Sequence, residues 1–131
     1  MTQNTIEPLL TQWEGTYKKW LLSFWLLLLL SQRKAYPYEM KAAIEELSQK
    51  SISADENSIY RALRRLTDSG IVGSEVQPSD SGPDRRYFFL KPLGRQLLAE
   101  FTERNIRLFQ HPDVMLLMEQ ASTPSDEDRK G

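Results

Sequence analysis

The chain has 131 residues, which is the length of a single domain or of a domain with one additional long helix. Hydrophobic residues make up 40% of it, enough to form a core, so a chain that is disordered throughout is excluded. Seventeen Lys and Arg against eighteen Asp and Glu give a net charge of −1, which excludes a polybasic protein that coats nucleic acid. The chain has no cysteine and one histidine, His111. We therefore predict no disulfide, no metal site and a reduced, cytoplasmic compartment.

The first predicted helix contains the most apolar segment of the chain. It runs from about Glu14 to Ser31 and follows a flexible N-terminus at residues 1–13. Its eleven residues from Trp20 to Leu30 read WLLSFWLLLLL and reach about 16 Å as a helix, roughly half of a membrane's hydrocarbon thickness. We therefore predict no membrane span, and a helix buried in the monomer, against a partner, or both. Residues spaced by three or four positions are predicted to lie in a dimer interface: Trp13, Tyr17, Trp20, Phe24 and Leu28.

A second and a third helix follow after a turn near residues 35–37. Pro37 suits the first position of the second helix, which is predicted to end near Gln49. Its inner stripe is predicted to contain Met40, Ile44 and Leu47. The third helix is predicted to begin with a capping box of Ser53 and Glu56, and to end at Gly70 in a left-handed conformation. Its apolar positions follow the i, i+3, i+4, i+7 pattern of one buried stripe: Ile59, Ala62, Leu63 and Leu66.

The rest of the chain is predicted to form a β-hairpin and a C-terminal helical region. Strand-like runs at Ile71–Val76 and Arg86–Leu90 flank residues 77–84, whose turn-forming types predict a long polar loop. Pro92 opens the last helix, which His111 and Pro112 interrupt. Residues 92–121 are predicted to be a C-terminal dimerisation region, and residues 122–131 a disordered polar tail. The apolar positions predicted to contact a second copy of the chain in this region are Leu97, Phe101 and Leu108.

Three helices followed by a hairpin are the element order of the winged helix-turn-helix. The predicted fold class is therefore mainly α with a small β-hairpin (α+β), with dimerisation helices at the N-terminal and C-terminal ends. Residues 14–91 are predicted to be the DNA-binding domain. In this arrangement the third helix enters the major groove, and the hairpin, or wing, reaches the flanking DNA.

Basic and polar side chains are predicted to make the third helix and the wing a DNA-binding surface. Arginine suits bidentate contact with guanine, asparagine suits adenine, and tyrosine suits a phosphate. An arginine-rich helix face is also typical of ordinary solvated surfaces, but the hairpin adds a second basic cluster. Asp55 would repel phosphate unless it faces sideways or accepts a hydrogen bond from a cytosine amino group. The predicted DNA-binding residues are Asn57, Ser58, Tyr60, Arg61, Arg64, Arg65, Arg85 and Arg86.

Three stretches of the chain resemble the PadR family of bacterial transcriptional regulators. They read LLLLLSQRKAYPYEMKAAIEEL, SADENSIYRALRRLTDSGIV and SGPDRRYFFLKPLGRQLL, and the resemblance covers about Trp20 to Glu100. It implies a homodimeric winged-helix repressor whose first and last helices form the dimer interface, with no catalytic chemistry. The long N-terminal extension and single C-terminal helix resemble the small cyanobacterial members tied to the circadian clock, the period-extender type. That likeness implies the promoter of a clock gene as the target.

The predicted function is sequence-specific repression by a homodimer bound to a near-palindromic promoter site. Two-fold symmetry predicts recognition helices about 34 Å apart. One alternative is a winged-helix protein–protein interaction module whose basic faces dock an acidic partner. Another is a regulator that senses an aromatic small-molecule effector near Trp13, Trp20 and Trp25. Paired carboxylates such as Glu45 and Glu46 are predicted to be exposed, so we expect no enzyme activity, and we predict no cofactor.

Overall fold

The computed structural model describes residues 3–124, and two regions of the chain form separate compact units, Met1–Leu98 and Ala99–Gly131. Residues 125–131 of the predicted C-terminal tail lie outside the described part. The helices are α1 (Gln3–Gln32), α2 (Pro37–Leu47), α3 (Glu56–Asp68), α4 (Pro92–Phe101) and α5 (Pro112–Ser122), and the strands are β1 (Val72–Ser79) and β2 (Gly82–Leu90). The two strands pair antiparallel in one sheet. The mainly α class with a small β-hairpin is confirmed.

Helix α1 is longer than predicted. It begins at Gln3 instead of Glu14 and contains Pro8 in its interior, so the predicted start is wrong. The physical reason is that Ile6, Leu9 and Leu10 continue the apolar spacing of three and four residues back towards the N-terminus. Within the described residues, no helix is both long enough and apolar enough to span a membrane.

The C-terminal half of α1 forms the centre of the hydrophobic core. Leu26 is fully buried, and other leucines of this half of the helix are also buried: Leu22, Leu27, Leu29 and Leu30. Burial within the monomer is therefore confirmed for one side of this half of the helix, and the predicted burial on nearly every side is not reached within the monomer. The aromatic stripe predicted from spacing lies elsewhere on the helix. Trp13, Tyr17 and Trp20 are exposed, and Phe24 and Leu28 are half-buried.

Helix α2 begins at Pro37 as predicted, and its buried residues include Met40 and Ile44. It ends at Leu47 rather than near Gln49, because Gln49 and Lys50 adopt positive φ angles of 53° and 65°. Leu47 is exposed, so its predicted place in the inner stripe is wrong. The buried Ser48 hydroxyl closes the turn by accepting a hydrogen bond from the Ile52 N–H at 3.0 Å.

Helix α3 ends in the predicted left-handed glycine. Gly70 has φ 76°, its N–H donates to the Thr67 carbonyl, and the Ile71 N–H donates to the Leu66 carbonyl. These two bonds form a Schellman motif, which satisfies carbonyl groups at the helix end. The chain is thereby turned directly into β1.

The wing is a tight hairpin instead of the predicted long-looped one. Ser79 pairs with Gly82, so the turn contains only Asp80 and Ser81. The prediction of a long polar loop is wrong, because Pro78 and Pro83 lie within the strands and do not interrupt them. Pro78 lies where the pairing register shifts, and a two-stranded sheet tolerates a missing N–H on either outer edge. Residue Ala35 adds a short bridge to β2, with two backbone hydrogen bonds to Phe88 of 3.1 and 2.8 Å.

The chain after β2 begins with a helix packed closely against the sheet. Gly94 is buried, and a side chain there would overlap the Ile71 carbonyl. Beyond α4, a π-helical turn (Thr102–Ile106) and a 3-10 turn (Arg107–Gln110) precede α5. His111 caps α5 by accepting the Asp113 N–H at 3.2 Å, which confirms the predicted interruption. Leu97, Phe101 and Leu108 are exposed.

Candidate nucleic-acid interface

Helix α3 is strongly amphipathic. Its apolar stripe is buried as predicted: Ile59, Ala62, Leu63 and Leu66. The opposite side carries polar and basic side chains, all exposed to solvent: Asn57, Tyr60, Arg61, Arg64 and Arg65. Ser58 lies at the border and is half-buried. Burial of one face therefore anchors the helix while five predicted DNA-binding side chains remain accessible.

The N-terminus of α3 is capped by Asp55 and not by the predicted capping box. The Asp55 carboxylate accepts the Ser58 N–H at 2.7 Å, as an N-cap side chain does. Ser53 lies three positions before the first helical residue, and its hydroxyl donates to the Glu45 carboxylate at 3.0 Å. The predicted box of Ser53 and Glu56 is therefore wrong, because the carboxylate adjacent to the helix occupies the capping position.

The same contact settles the orientation of Asp55, whose charge conflicts with phosphate binding. Its hydrogen bonds from Ser58 lower the pKa of Asp55 below its ordinary value, and the nearby charges of Arg61 and Lys41 add to the effect. The carboxylate is therefore ionised at neutral pH, directed at the first turn of its own helix and partly compensated by two cations. A carboxylate held in this way opposes an incoming phosphate less than an unpaired one.

A second contact links two predicted DNA-binding residues on α3. Arg61 Nη2 donates a hydrogen bond to the Ser58 hydroxyl at 3.2 Å. A guanidinium has five N–H donors, so this bond restricts the orientation of Arg61 and leaves donors for a phosphate or a base edge. Pre-orienting a long side chain lowers the entropy that it loses on binding.

On the wing, both predicted arginines are exposed and make contacts with neighbouring side chains. Arg86 Nη1 donates to the Ser74 hydroxyl across the hairpin at 3.0 Å. Arg85 Nη1 donates to the Tyr36 hydroxyl at 3.2 Å, and its guanidinium lies 4.6 Å from the centre of the Tyr36 ring. A cation over an aromatic face is attracted by the ring quadrupole, so Tyr36 holds Arg85 at the stem of the wing.

Tyr36 itself is part of an aromatic cluster between the start of α2 and the wing. Its ring lies edge-on to Tyr87 with centroids 5.3 Å apart, and is stacked on Tyr38 with centroids 6.5 Å apart. The bridge between Ala35 and Phe88 fixes the backbone beside it. Tyr36 is not among the predicted site residues, although the two tyrosines that flank Pro37 are a visible signal in the sequence.

Glu75, the acidic residue of strand β1, is ionised and paired with a lysine. Glu75 accepts hydrogen bonds from Lys34 at 2.6 Å and from Gln77 at 2.9 Å. These contacts, with the Lys34 bond contributing most, lower the pKa of Glu75. The positive charges of Arg85 and Arg86 are therefore not opposed by an unpaired carboxylate on the strand that pairs with theirs.

The predicted dimer-interface residues of α1 form an exposed apolar stripe. Trp13, Tyr17 and Trp20 have 77%, 63% and 82% of their surface exposed. Ile6 and Leu10 extend the stripe towards the N-terminus at the same alternating spacing of four and three residues. Large aromatic side chains left exposed in such a row are unusual for a monomer.

Comparison with known proteins identifies the chain's relatives. The model of the transcriptional regulator PadR-like family matches residues 26–100. No curated protein sequence matches the chain.

Solved structures share the fold. Bacillus subtilis PadR, determined in complex with operator DNA, is 24% identical, with a TM-score of 0.60 over 65% of this chain and 48% of that one. This chain thus spans about half the length of that protein. A PadR-like transcription factor from Bacteroides fragilis is 23% identical, with a TM-score of 0.64 over 79% of this chain and 98% of that one. The circadian clock associated protein Pex from Anabaena is 18% identical, with a TM-score of 0.57 over 70% and 76% of the two chains.

Proposed function

The chain belongs to the PadR-like family of transcriptional regulators, and we propose that it acts as a homodimeric repressor that binds promoter DNA with α3 and the wing. The exposed basic face of α3 carries the proposal. It combines three arginines with Asn57 and Tyr60, and the Asp55 carboxylate that precedes the helix is engaged as its cap. The proposed DNA contacts are Asn57, Ser58, Tyr60, Arg61, Arg64, Arg65, Arg85 and Arg86.

The two elements have different roles in the proposed complex. Helix α3 enters the major groove, where Asn57 suits adenine and the α3 arginines either pair with guanine or contact phosphates at the groove edge. Arg85 and Arg86 contact the sugar–phosphate backbone, because Tyr36 and Ser74 hold them on the exposed stem of the hairpin. Backbone contacts set the register of a protein on DNA, and base contacts give it specificity. Bacillus subtilis PadR, which shares the fold, was determined in complex with operator DNA, and this supports DNA as the partner.

Dimerisation is proposed through α1 and the C-terminal region. The exposed stripe of Trp13, Tyr17 and Trp20 would be covered by a second copy of the chain, together with Leu97 and Leu108. Phe24, Leu28 and Phe101 complete the proposed interface. Two-fold symmetry then gives a near-palindromic operator whose half-sites lie about one helical turn apart. The regulator would act in the cytoplasm, on chromosomal DNA.

A clock gene is the proposed target, supported by the fold shared with Pex from Anabaena. The test is to delete the gene in its own organism and to record a rhythmic reporter. A changed period supports a clock gene as the target. An unchanged period excludes a clock gene and leaves the proposal of DNA binding intact.

Selection from a random duplex library tests the DNA-binding proposal directly. The protein captures duplexes at physiological salt, and sequencing of the bound fraction is expected to give one near-palindromic motif. A mobility shift then compares that motif with a shuffled duplex of the same composition. Either the absence of an enriched motif or equal affinity for the motif and the shuffled duplex would refute specific DNA binding and favour a protein–protein interaction module.

A further inference from the structure

A cleft of about 390 Å³ lies between the N-terminal half of α1 and the start of α3. Lys18 from α1, together with Arg61 and Arg65 from α3, contributes three cationic side chains to its lining. Ser53 and Ser58 add hydroxyl groups, and Asp55 is the one carboxylate among the described residues that line the cleft. Cations from two separate helices therefore converge on one concave surface.

The charge balance of the cleft favours an anion. Three formal positive charges face one negative charge, and the Asp55 carboxylate already accepts the Ser58 N–H. Lys18 pairs with Glu14 at 3.4 Å across one turn of α1. Both of those side chains are exposed, and an exposed ion pair of this kind is weak enough for a phosphate to displace Glu14. Arg61 retains free N–H donors beyond its bond to the Ser58 hydroxyl.

Gly15 keeps the α1 wall of the cleft open. Glycine in a helix interior is unfavourable compared with alanine, so a reason is expected for its presence in α1. Among the described residues, a methyl group at Gly15 would meet no atom within 4 Å, so packing within the described part of the chain does not require a glycine there. Gly15 lines this cleft and also an adjoining hollow that Arg65 shares. A missing side chain at this position leaves room for close approach of a bound group to the helix backbone.

We propose that the α1–α3 cleft is a phosphate-binding site, with Lys18, Arg61 and Arg65 as its cationic ligands. Resting on the proposed function, the natural occupant is a phosphate of the DNA backbone beside the recognition helix. The N-terminal half of α1 thereby becomes part of the DNA-binding surface. A free phosphate-bearing metabolite has the same chemistry, and the experiment separates the two sources.

The first arm measures binding to the selected duplex as a function of salt concentration, for wild type, Lys18→Gln and Lys18→Arg. Lys91→Gln is the matched control, since Lys91 is exposed and lies at the end of β2. One lost phosphate contact per protomer lowers the salt slope of a dimer by about 1.8, which weakens binding about 60-fold at about 0.1 M salt. Lys18→Arg should restore binding. Gly15→Leu, which fills the cleft and keeps every charge, should weaken binding as Lys18→Gln does.

The second arm follows the Gly15 amide by NMR while inorganic phosphate is added, with sodium chloride at equal ionic strength as reference. Phosphate should shift this amide in wild type and not in Lys18→Gln. A phosphate-specific shift with unchanged DNA affinity in Lys18→Gln assigns the site to a free phosphate compound. If Lys18→Gln and Gly15→Leu both bind DNA as the wild type does, and phosphate causes no specific shift, the cleft is not a phosphate site. That result leaves the proposed function unchanged. A phosphate-specific shift in a protein that shows no specific DNA binding would support the cleft as a phosphate site and would refute the proposed function.

Discussion

Removal of two arginines, Arg61→Ala together with Arg86→Ala, is the sharpest test of the proposed DNA-binding surface. Arg61 lies on the exposed side of α3, and Arg86 lies on the wing, so the pair samples both elements. Neither side chain is in the core, and substitution of such surface residues changes the free energy of unfolding by about 0.5 kcal/mol or less. The variant should therefore remain folded and keep the oligomeric state of the wild type.

The expected loss of affinity follows from counterion release. Two lost phosphate contacts per protomer are four per dimer, which lowers the salt slope by about 3.6. At about 0.1 M salt this corresponds to roughly 4,000-fold weaker binding, or about 5 kcal/mol. If either arginine contacts a base instead, the slope changes less, but specificity at one position of the motif is lost.

Fluorescence anisotropy with the selected duplex at several salt concentrations measures both the affinity and the slope. The matched control is Arg104→Ala with Arg107→Ala, two exposed arginines beyond α4. It removes the same charge from the chain, so an effect of net charge alone would be equal in the two variants. Equal affinities of the two variants, or an unchanged slope in Arg61→Ala with Arg86→Ala, would refute the assignment of these residues to the interface.

Three further predictions test the fold and the site. Leu63→Ala removes a fully buried side chain of α3 and should lower the free energy of unfolding by about 3 kcal/mol, measured with urea; a loss below about 1 kcal/mol would contradict its place in the core. Tyr36→Phe removes the hydroxyl that accepts a hydrogen bond from Arg85 and should weaken DNA binding about five-fold. An affinity equal to that of the wild type, measured by fluorescence anisotropy, would show that this hydrogen bond has no role in DNA binding. The lowered pKa of Asp55 means that its carboxylate stabilises the fold at pH values above the ordinary aspartate pKa, and that this stabilisation is lost as pH falls through the lower folded-state pKa. Asp55→Asn keeps an N-cap acceptor without the charge, so urea unfolding between about pH 3 and pH 5 should show a smaller acid loss than in wild type, and an equal loss would count against the Asp55 cap.

The order of elements was predictable because its signals are local. A buried stripe repeats every three or four residues in α3, Pro37 suits a first helical turn, and Gly70 suits a left-handed end. Each of these depends on residues within a few positions of one another. For the same reason the basic character of α3 and of the wing was visible from the sequence.

Contacts between distant residues were not predictable in the same way. Arg85 and Tyr36 are 49 positions apart, and the pairing of Lys34 with Glu75 spans 41, so no periodicity connects either pair. The cap of α3 is a further example. The Ser53 hydroxyl donates to Glu45 of α2 instead of capping α3, and Asp55 caps the helix in its place. Spacing alone also cannot distinguish the exposed aromatic stripe of α1 from the leucines of the same helix that are buried in the monomer.

Local residue patterns are sufficient to predict that three helices and a hairpin form and that two of these elements carry arginines, since helical and strand periods are intrinsic to the backbone. Which face of α1 is buried depends instead on the surfaces that α2 and α3 present to it. The same packing brings Lys18 of α1 to the cleft with Arg61 and Arg65. Charge totals near zero therefore say little about this protein, whereas the positions of a few cations around α3 carry its proposed function.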